Sequence, residues 1–266
     1  MQRAKKIGVF DSGLGGISIY KELIKLLPRE QFLYLADSKN APYGNKPKAK
    51  IRELSRQNTE FLIQSGAKAI VVACNTATTQ VINDLRKHYD IPFIGVEPAV
   101  KPAAEFSKNK KIGILATEGT LRSNLFQKTF NTYGDNIQAF IQVGTGLVEL
   151  IELNKLNSAE LKALLESYIH PMIKQEVDVL VLGCTHYPFL IPLIDEITHS
   201  QIKIFEPSAA VALQTKRILS KKGILNSGSD QKEGVDFFYT TGDTAILQSF
   251  IKVHAPNRTT RELPKT

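Results

Sequence analysis

No apolar stretch of this 266-residue chain approaches the ~18–20 residues that a membrane-spanning helix requires. Its start, Met1-Gln2-Arg3-Ala4-Lys5-Lys6, is basic like the head of a secretory signal. Gly8, Asp11 and a glycine cluster interrupt the residues after it, so no secretory apolar core fits and a cytoplasmic location is expected. Cysteine is scarce: only Cys74 and Cys184 are present. A single disulfide between them would suit an exported chain. With no export signal and a core large enough to fold unaided, free thiols are expected. Two isolated cysteines with one adjacent histidine lack the spacing of a zinc site, so no metal is expected. Gly13, Gly15 and Gly16 do not make GxGxxG, and no GK[ST] comes after them, which removes the common nucleotide-phosphate loops. A net charge of +8 invites a nucleic-acid reading, but the Lys and Arg residues form no dense block or binding motif. A solvated basic surface is expected instead, one that mildly favours an anionic substrate.

What the chain does contain is a pair of matched stretches. Gly66-Ala67-Lys68-Ala69-Ile70-Val71-Val72-Ala73-Cys74-Asn75-Thr76 and Glu176-Val177-Asp178-Val179-Leu180-Val181-Leu182-Gly183-Cys184-Thr185-His186 are each a short Val- and Ile- or Leu-rich run ending in a cysteine. Such continuous apolar runs bounded by polar residues predict strands buried on both faces, as in parallel sheets. Lys5-Lys6-Ile7-Gly8-Val9-Phe10 recurs as Lys110-Lys111-Ile112-Gly113-Ile114-Leu115, and Val96-Glu97-Pro98-Ala99 as Phe205-Glu206-Pro207-Ser208. The offsets of 105, 110 and 109 residues imply a duplicated domain, since solenoid units are only about 20–50 residues long. The expected fold is α/β: two pseudo-symmetric lobes with largely parallel central sheets and a site in the cleft between them. Glu97-Pro98 marks the crossing into the second lobe and Glu206-Pro207 the return. The expected lobes are therefore 1–97 with 208–266, and 98–207.

Within each lobe the order is strand, turn, helix. Lys5 to Phe10 is the first strand, and the turn Asp11-Ser12-Gly13-Leu14-Gly15-Gly16 opens a helix. Asp11 would repel a phosphate. It suits a cationic group or proton handling, with Ser12 and the loop amides available to a smaller anion, or it merely caps the helix. The second copy replaces this turn by Ala116-Thr117-Glu118-Gly119-Thr120 and loses the counterpart of Asp11. Pro42-Tyr43-Gly44 is a tight turn able to present a ring or backbone amides. Cys74 falls where a strand gives way to a helix, the place where open α/β sheets bind ligands. Gln142 to Gly146 is expected as a flexible turn, Ser158 as the cap of a helix to Gln175, Ser227 to Glu233 as a polar loop, Asp243 as a helix cap, and the residues after His254 as a loose basic tail.

Two lobes with a thiol at the top of equivalent strands can face those thiols across one cleft. One sulfur then takes a proton from one face of a carbon while the other returns one to the opposite face, inverting the centre. An ordinary thiol, with a pKa of about 8.5, is only a few per cent ionised near neutral pH, so acid–base partners are required. A helix N-terminus supplies roughly 0.3–1 kcal/mol, which does not suffice alone. Asp11 is available on the first lobe and His186 beside Cys184 on the second, with Glu152 to orient or charge-balance that histidine. Asn75, Thr76 and Thr185, at expected helix starts, can bind a carboxylate. A papain-like Cys–His hydrolase would leave the second thiol idle.

Asp11-Ser12-Gly13-Leu14-Gly15-Gly16, Tyr34-Leu35-Ala36-Asp37, Pro42-Tyr43-Gly44, Cys74-Asn75-Thr76-Ala77, Gly183-Cys184-Thr185-His186-Tyr187-Pro188 and Thr241-Gly242-Asp243 resemble, in order, the motifs of the glutamate racemase family. The resemblance covers nearly the whole chain to about residue 250. It implies cofactor-independent interconversion of L- and D-glutamate for bacterial peptidoglycan and a homodimer; the short apolar runs leave no membrane partner expected, and the scattered basic residues no nucleic-acid partner. It assigns proton transfer to Cys74, assisted by Asp11, and to Cys184, assisted by His186 and Glu152. Substrate contacts are assigned to Asp11, Ser12, Tyr43, Gly44, Asn75, Thr76, Thr185 and His186. Members that act on aspartate or hydantoins are the nearest alternative, and a non-catalytic basic binding protein is a more distant one. Two departures stand out: Gly144-Thr145 where the family commonly has Cys-Pro, and Asn40 where it commonly has Arg. Relatives regulated by a cell-wall precursor carry a long N-terminal extension, so such regulation is not expected here.

Overall fold

Strand β1 (Lys6–Asp11), helix α1 (Ile17–Leu26), β2 (Phe32–Ala36), α2 (Lys48–Gln64), β3 (Ala67–Val72), α3 (Asn75–His88) and β4 (Phe93–Gly95) succeed one another in simple alternation. Residues 6–133, 137–226, 235–255 and 260–263 are described by a computed structural model, the last four through their backbone alone. After α4 (Val100–Phe106) the alternation repeats as β5 (Lys111–Ala116), α5 (Glu118–Leu121), α6 (Asn124–Tyr133), β6 (Gln138–Val143), α7 (Leu147–Glu152), α8 (Ala159–Lys174), β7 (Val179–Gly183), α9 (Ile191–Thr198) and β8 (Lys203–Phe205). Helix α10 (Ser208–Lys221) then packs back on α1, and β9 (Asp236–Thr240), α11 (Thr244–His254) and β10 (Thr260–Leu263) complete the described chain.

Two sheets result, ordered β10-β9-β2-β1-β3-β4 and β6-β5-β7-β8, and each strand pairing is parallel. The inner order 2-1-3-4 of the first sheet is repeated as 6-5-7-8 in the second, the topological form of the sequence duplication. Burial matches the apolar runs: β3 and β7 are buried throughout, as parallel strands covered on both faces must be. One apolar cluster joins the sheets. It contains Val9, Tyr34 and Val71 of the first, Leu115, Leu180 and Leu182 of the second, and Leu147 and Ile151 of α7. Each fully buried Leu or Ile in that seam contributes about 1.5–3 kcal/mol relative to exposure.

Local expectations meet the structure unevenly. Ser158 caps α8 by accepting from the Leu161 amide at 3.2 Å, and Asp243 caps α11 by accepting from the Ala245 amide at 2.7 Å. Part of the expected turn at 142–146 is the end of strand β6, and only Gly144 to Gly146 turn. The residues of β6 are half-buried or exposed because it lies at a sheet edge, so no continuous apolar run announces it. The expected loose tail includes β10, which pairs with β9 in parallel. The expected polar loop of Ser227 to Glu233 lies outside the described residues.

Candidate active site

Both cysteines lie just past the C-terminal ends of central strands, Cys74 two residues after β3 and Cys184 directly after β7. Both are free, buried, and line the same cleft. Ser12, Tyr43, Gly44, Asn75, Thr76, Thr185 and His186, the substrate contacts inferred from sequence, line it too. Asp11 and Glu152 are placed behind that lining.

The two thiols are held differently. Cys74 is the N-cap of α3: its sulfur accepts from the Ala77 amide at 3.4 Å, and its thiol points at Ser12 Oγ, 3.8 Å away. Cys184 has no such helix. A turn and a single 3-10 turn, Tyr187–Leu190, separate it from α9, so Thr185 is not at a helix start as the sequence suggested. The Cys184 sulfur instead lies 3.7 Å from His186 Nδ1. His186 Nε2 is 2.6 Å from Glu152 Oε1, which also accepts from the Leu14 amide at 2.6 Å. Nε2 lies 3.3 Å from the Gly15 amide as well, and it cannot both accept there and give its proton to Glu152. The shorter, charge-assisted contact to the carboxylate decides the tautomer, leaving Nδ1 to exchange a proton with Cys184.

The glycine turn explains itself at this point. A Cβ on Gly13 would fall inside the Glu152 carboxylate, and one on Gly15 on the His186 imidazole. Glycines here give room to two side chains crossing from the second lobe. Asp11 organises the same turn: Oδ2 accepts from the Gly16 amide at 2.9 Å and the Gly13 amide at 3.3 Å. Its other oxygen accepts from Ser12 Oγ at 3.5 Å and from Thr185 Oγ1 at 3.3 Å, while Oδ2 lies 4.0 Å from His186 Nδ1. Asp11 thus reaches Cys74 only through Ser12, and it touches the Cys184 side directly, a bridging place that sequence did not give it.

Electrostatics make the halves unequal. Burial pushes the Cys74 thiol up, the Asp11 charge pushes it further, and the Ala77 amide and Ser12 hydroxyl only partly oppose them. Burial also raises Asp11, with His186 opposing and Glu152 adding. For His186 burial works against the charge, but hydrogen bonds to Cys184 and Glu152 and the nearby Asp11 outweigh it, lifting the imidazole well above its ordinary value. Burial and the Asp11 charge thus favour the thiol form of Cys74, while the contacts with Cys184, Glu152 and Asp11 favour the imidazolium form of His186.

Sequence reasoning missed Thr117 and Val148, which also line the cleft. Thr117 stands 105 residues after Ser12, the offset of the first strands, so the repeat itself was the signal. Thr117 Oγ1 lies 2.8 Å from Thr76 Oγ1, a hydroxyl pair joining the two halves. Neither amide atom of buried Asn75 has a partner among the described residues, which leaves one donor group and one acceptor free at the cleft wall.

Residues 7–215 match the family model described as Asp/Glu/Hydantoin racemase. A glutamate racemase of Pseudomonas paraeruginosa is 45% identical over 223 residues, 84% of each chain. Among solved structures, the glutamate racemase isoform RacE1 of Bacillus anthracis superposes with a TM-score of 0.85 at 29% identity, covering 98% of both chains. The glutamate racemase of Francisella tularensis in complex with D-glutamate gives 0.81 at 27% identity, covering 99% of this chain and 98% of its own. With thiols, imidazole and carboxylates gathered at the ends of duplicated parallel strands, and with these likenesses across nearly its full length, the chain belongs to the Asp/Glu/Hydantoin racemase family and, within it, to the glutamate racemases.

Proposed function

We propose that Cys74 and Cys184 interconvert L- and D-glutamate by proton transfer on opposite faces of the α-carbon. One thiolate removes the α-proton: the C–H bond breaks, an S–H bond forms, and the electron pair remains on the carbon, delocalised into the adjoining carboxylate. The opposing thiol then gives its proton to the other face and becomes the thiolate. The product is the mirror image, and the cysteines have exchanged protonation states. The reading is carried by one observation, two free thiols opening on one cleft from equivalent strands of two halves. Asn75, Thr76 and Thr185 are available to the substrate's carboxylates. His186 with Glu152 would serve Cys184, and Asp11 through Ser12 would serve Cys74. The D-glutamate complex of the Francisella relative supports the choice of substrate.

The lobes are proposed as 1–97 with 208–266, and 98–207, the second closing on the first around the substrate. By family resemblance the enzyme supplies D-glutamate for peptidoglycan in the cytoplasm and works as a homodimer. Its mass in solution, against 29.5 kDa for one chain, tests the dimer. Among the described residues no helix is long and apolar enough to cross a membrane.

Incubation with L-glutamate in D₂O, without pyridoxal phosphate or metal, tests the chemistry. The expected result is loss of optical rotation with deuterium at the α-carbon of the D-product, and no racemisation by Cys74→Ala or Cys184→Ala. Undiminished racemisation by either variant would overturn the two-thiol assignment.

A further inference from the structure

The first sheet carries something the duplication does not account for. Beyond β2 it continues into β9 and β10, whereas the second sheet stops at β6. Besides covering an edge, β9 delivers Thr241 to the loop after β2. The Thr241 amide donates to the Ala36 carbonyl at 2.9 Å, extending the ladder by one step, and its hydroxyl donates to Asp37 Oδ1 at 2.7 Å. Asp37 is 1% exposed and gathers the loop around its carboxylate. Oδ1 also accepts from Asn40 Nδ2 at 2.9 Å, Oδ2 accepts from the Tyr43 hydroxyl, and the Asp37 amide donates to the Asp11 carbonyl at 3.0 Å. From the other side Asn58 of α2 donates to the Tyr43 hydroxyl at 3.1 Å.

This arrangement changes what Tyr43 can do. Its hydroxyl gives its proton to Asp37 and receives one from Asn58, so it is spent on the protein although the residue lines the cleft. The ring and the backbone of Tyr43 and Gly44 are left to form the wall. That wall has little slack, because a Cβ on Gly44 would come within 2.8 Å of Thr117 Cβ on the opposite half. A buried carboxylate held by three side-chain donors fixes a loop more sharply than any one contact, because each bond restricts its rotation.

We infer that Thr241, acting through Asp37, is a positioning residue for the substrate-facing wall at Tyr43 and Gly44, so that the C-terminal addition to the first sheet takes part in substrate binding. The inference rests on the racemase reading. Without the Thr241 hydroxyl, Asp37 Oδ1 keeps Asn40 alone, the carboxylate can turn, and Tyr43 loses its fixed partner. The wall carries no group of the proposed proton path, so the loss falls on KM more than on kcat.

The test is steady-state racemisation in both directions by wild type, Thr241→Val, Thr241→Ser, Tyr43→Phe and the Thr241→Val/Tyr43→Phe double variant. Thr241→Val is expected to raise KM at least threefold for both enantiomers with kcat within twofold of wild type. Thr241→Ser, which keeps the hydroxyl, is expected to stay within twofold on both constants. Tyr43→Phe cuts the same chain at its other end, so its KM rise is expected to match, and the double variant to be no worse than the poorer single one. An unchanged KM in Thr241→Val, a fall confined to kcat, a serine variant as impaired as valine, or full additivity in the double variant each overturns the inference. If Thr241→Val does not fold, Tyr43→Phe decides alone, and a KM within twofold of wild type overturns it. Wild type that leaves L-glutamate unchanged overturns the racemase reading itself, and so separates the two failures.

Discussion

His186 is where the resting charge of the cleft is decided, and its consequences are measurable. The imidazole lies 3.7 Å from the Cys184 sulfur and 2.6 Å from Glu152, and its pKa is raised well above the ordinary value. A raised folded-state pKa adds stability that is fully present below the unfolded value of about 6.5 and is lost as pH rises through the folded value. His186→Gln is therefore expected to melt with a shallower loss of stability above pH ~6.5 than wild type, monitored by thermal denaturation across pH. The same change should lower turnover by about 10²–10⁴-fold, the usual worth of a positioned acid–base group. The loss in kcat should be greater in the direction in which Cys184 removes the α-proton, while kcat/KM falls equally in both directions, as an equilibrium constant of one between enantiomers requires. An unaltered pH profile, with kcat lowered to the same extent in both directions, would assign His186 to packing alone. The cysteines were legible in the sequence because they are the only thiols and end matched apolar runs. The Asp11 bridge was not, because its contact with Thr185 depends on how the halves face one another.

At the scale of elements, the turn between β1 and α1 and the turn after β6 are shaped by what must pass through them. A methyl group on Gly15 would lie on the His186 ring, and displacements of about 1 Å at a reacting group can cost about 100-fold in rate. Gly15→Ala is accordingly expected to lose about 100-fold in kcat/KM, with overpacking of about 1–3 kcal/mol visible in chemical denaturation. A variant as active as wild type would mean that the imidazole has freedom the packed turn denies it. Gly144, a departure from the family's usual Cys-Pro, has a similar reason: a Cβ there would strike the Tyr187 hydroxyl, which donates to the Gly144 carbonyl at 3.1 Å. Strands β1, β3, β5 and β7 could be read from sequence because buried parallel strands are apolar without interruption. Strand β6 could not, since Gln138, Gln142 and their neighbours sit on a half-solvated edge. Strand β10 could not either, because its place depends on pairing with β9 and not on its own polar composition.

For the whole molecule, the shared core matters as much as the cleft. The apolar cluster that joins the two sheets passes through Leu147, Ile151 and Tyr187, the last two immediately beside Glu152 and His186 in the chain. The halves are therefore coupled in folding, and glutamate bound between them should stabilise both. Saturation at 100 times Kd adds about 2.7 kcal/mol, which for a chain of this size raises Tm by about 5–10 °C. Calorimetry with increasing L-glutamate is expected to show one transition that moves as a unit. Asn75→Ala, which removes the unpartnered amide at the cleft wall, should shrink that shift while leaving the unliganded Tm within a few degrees of wild type. Two transitions, with only one responding to glutamate, would mean that the seam does not bind the halves into a single cooperative unit. The substrate would then be held by one lobe, and its two faces would not be presented to two sulfurs at once.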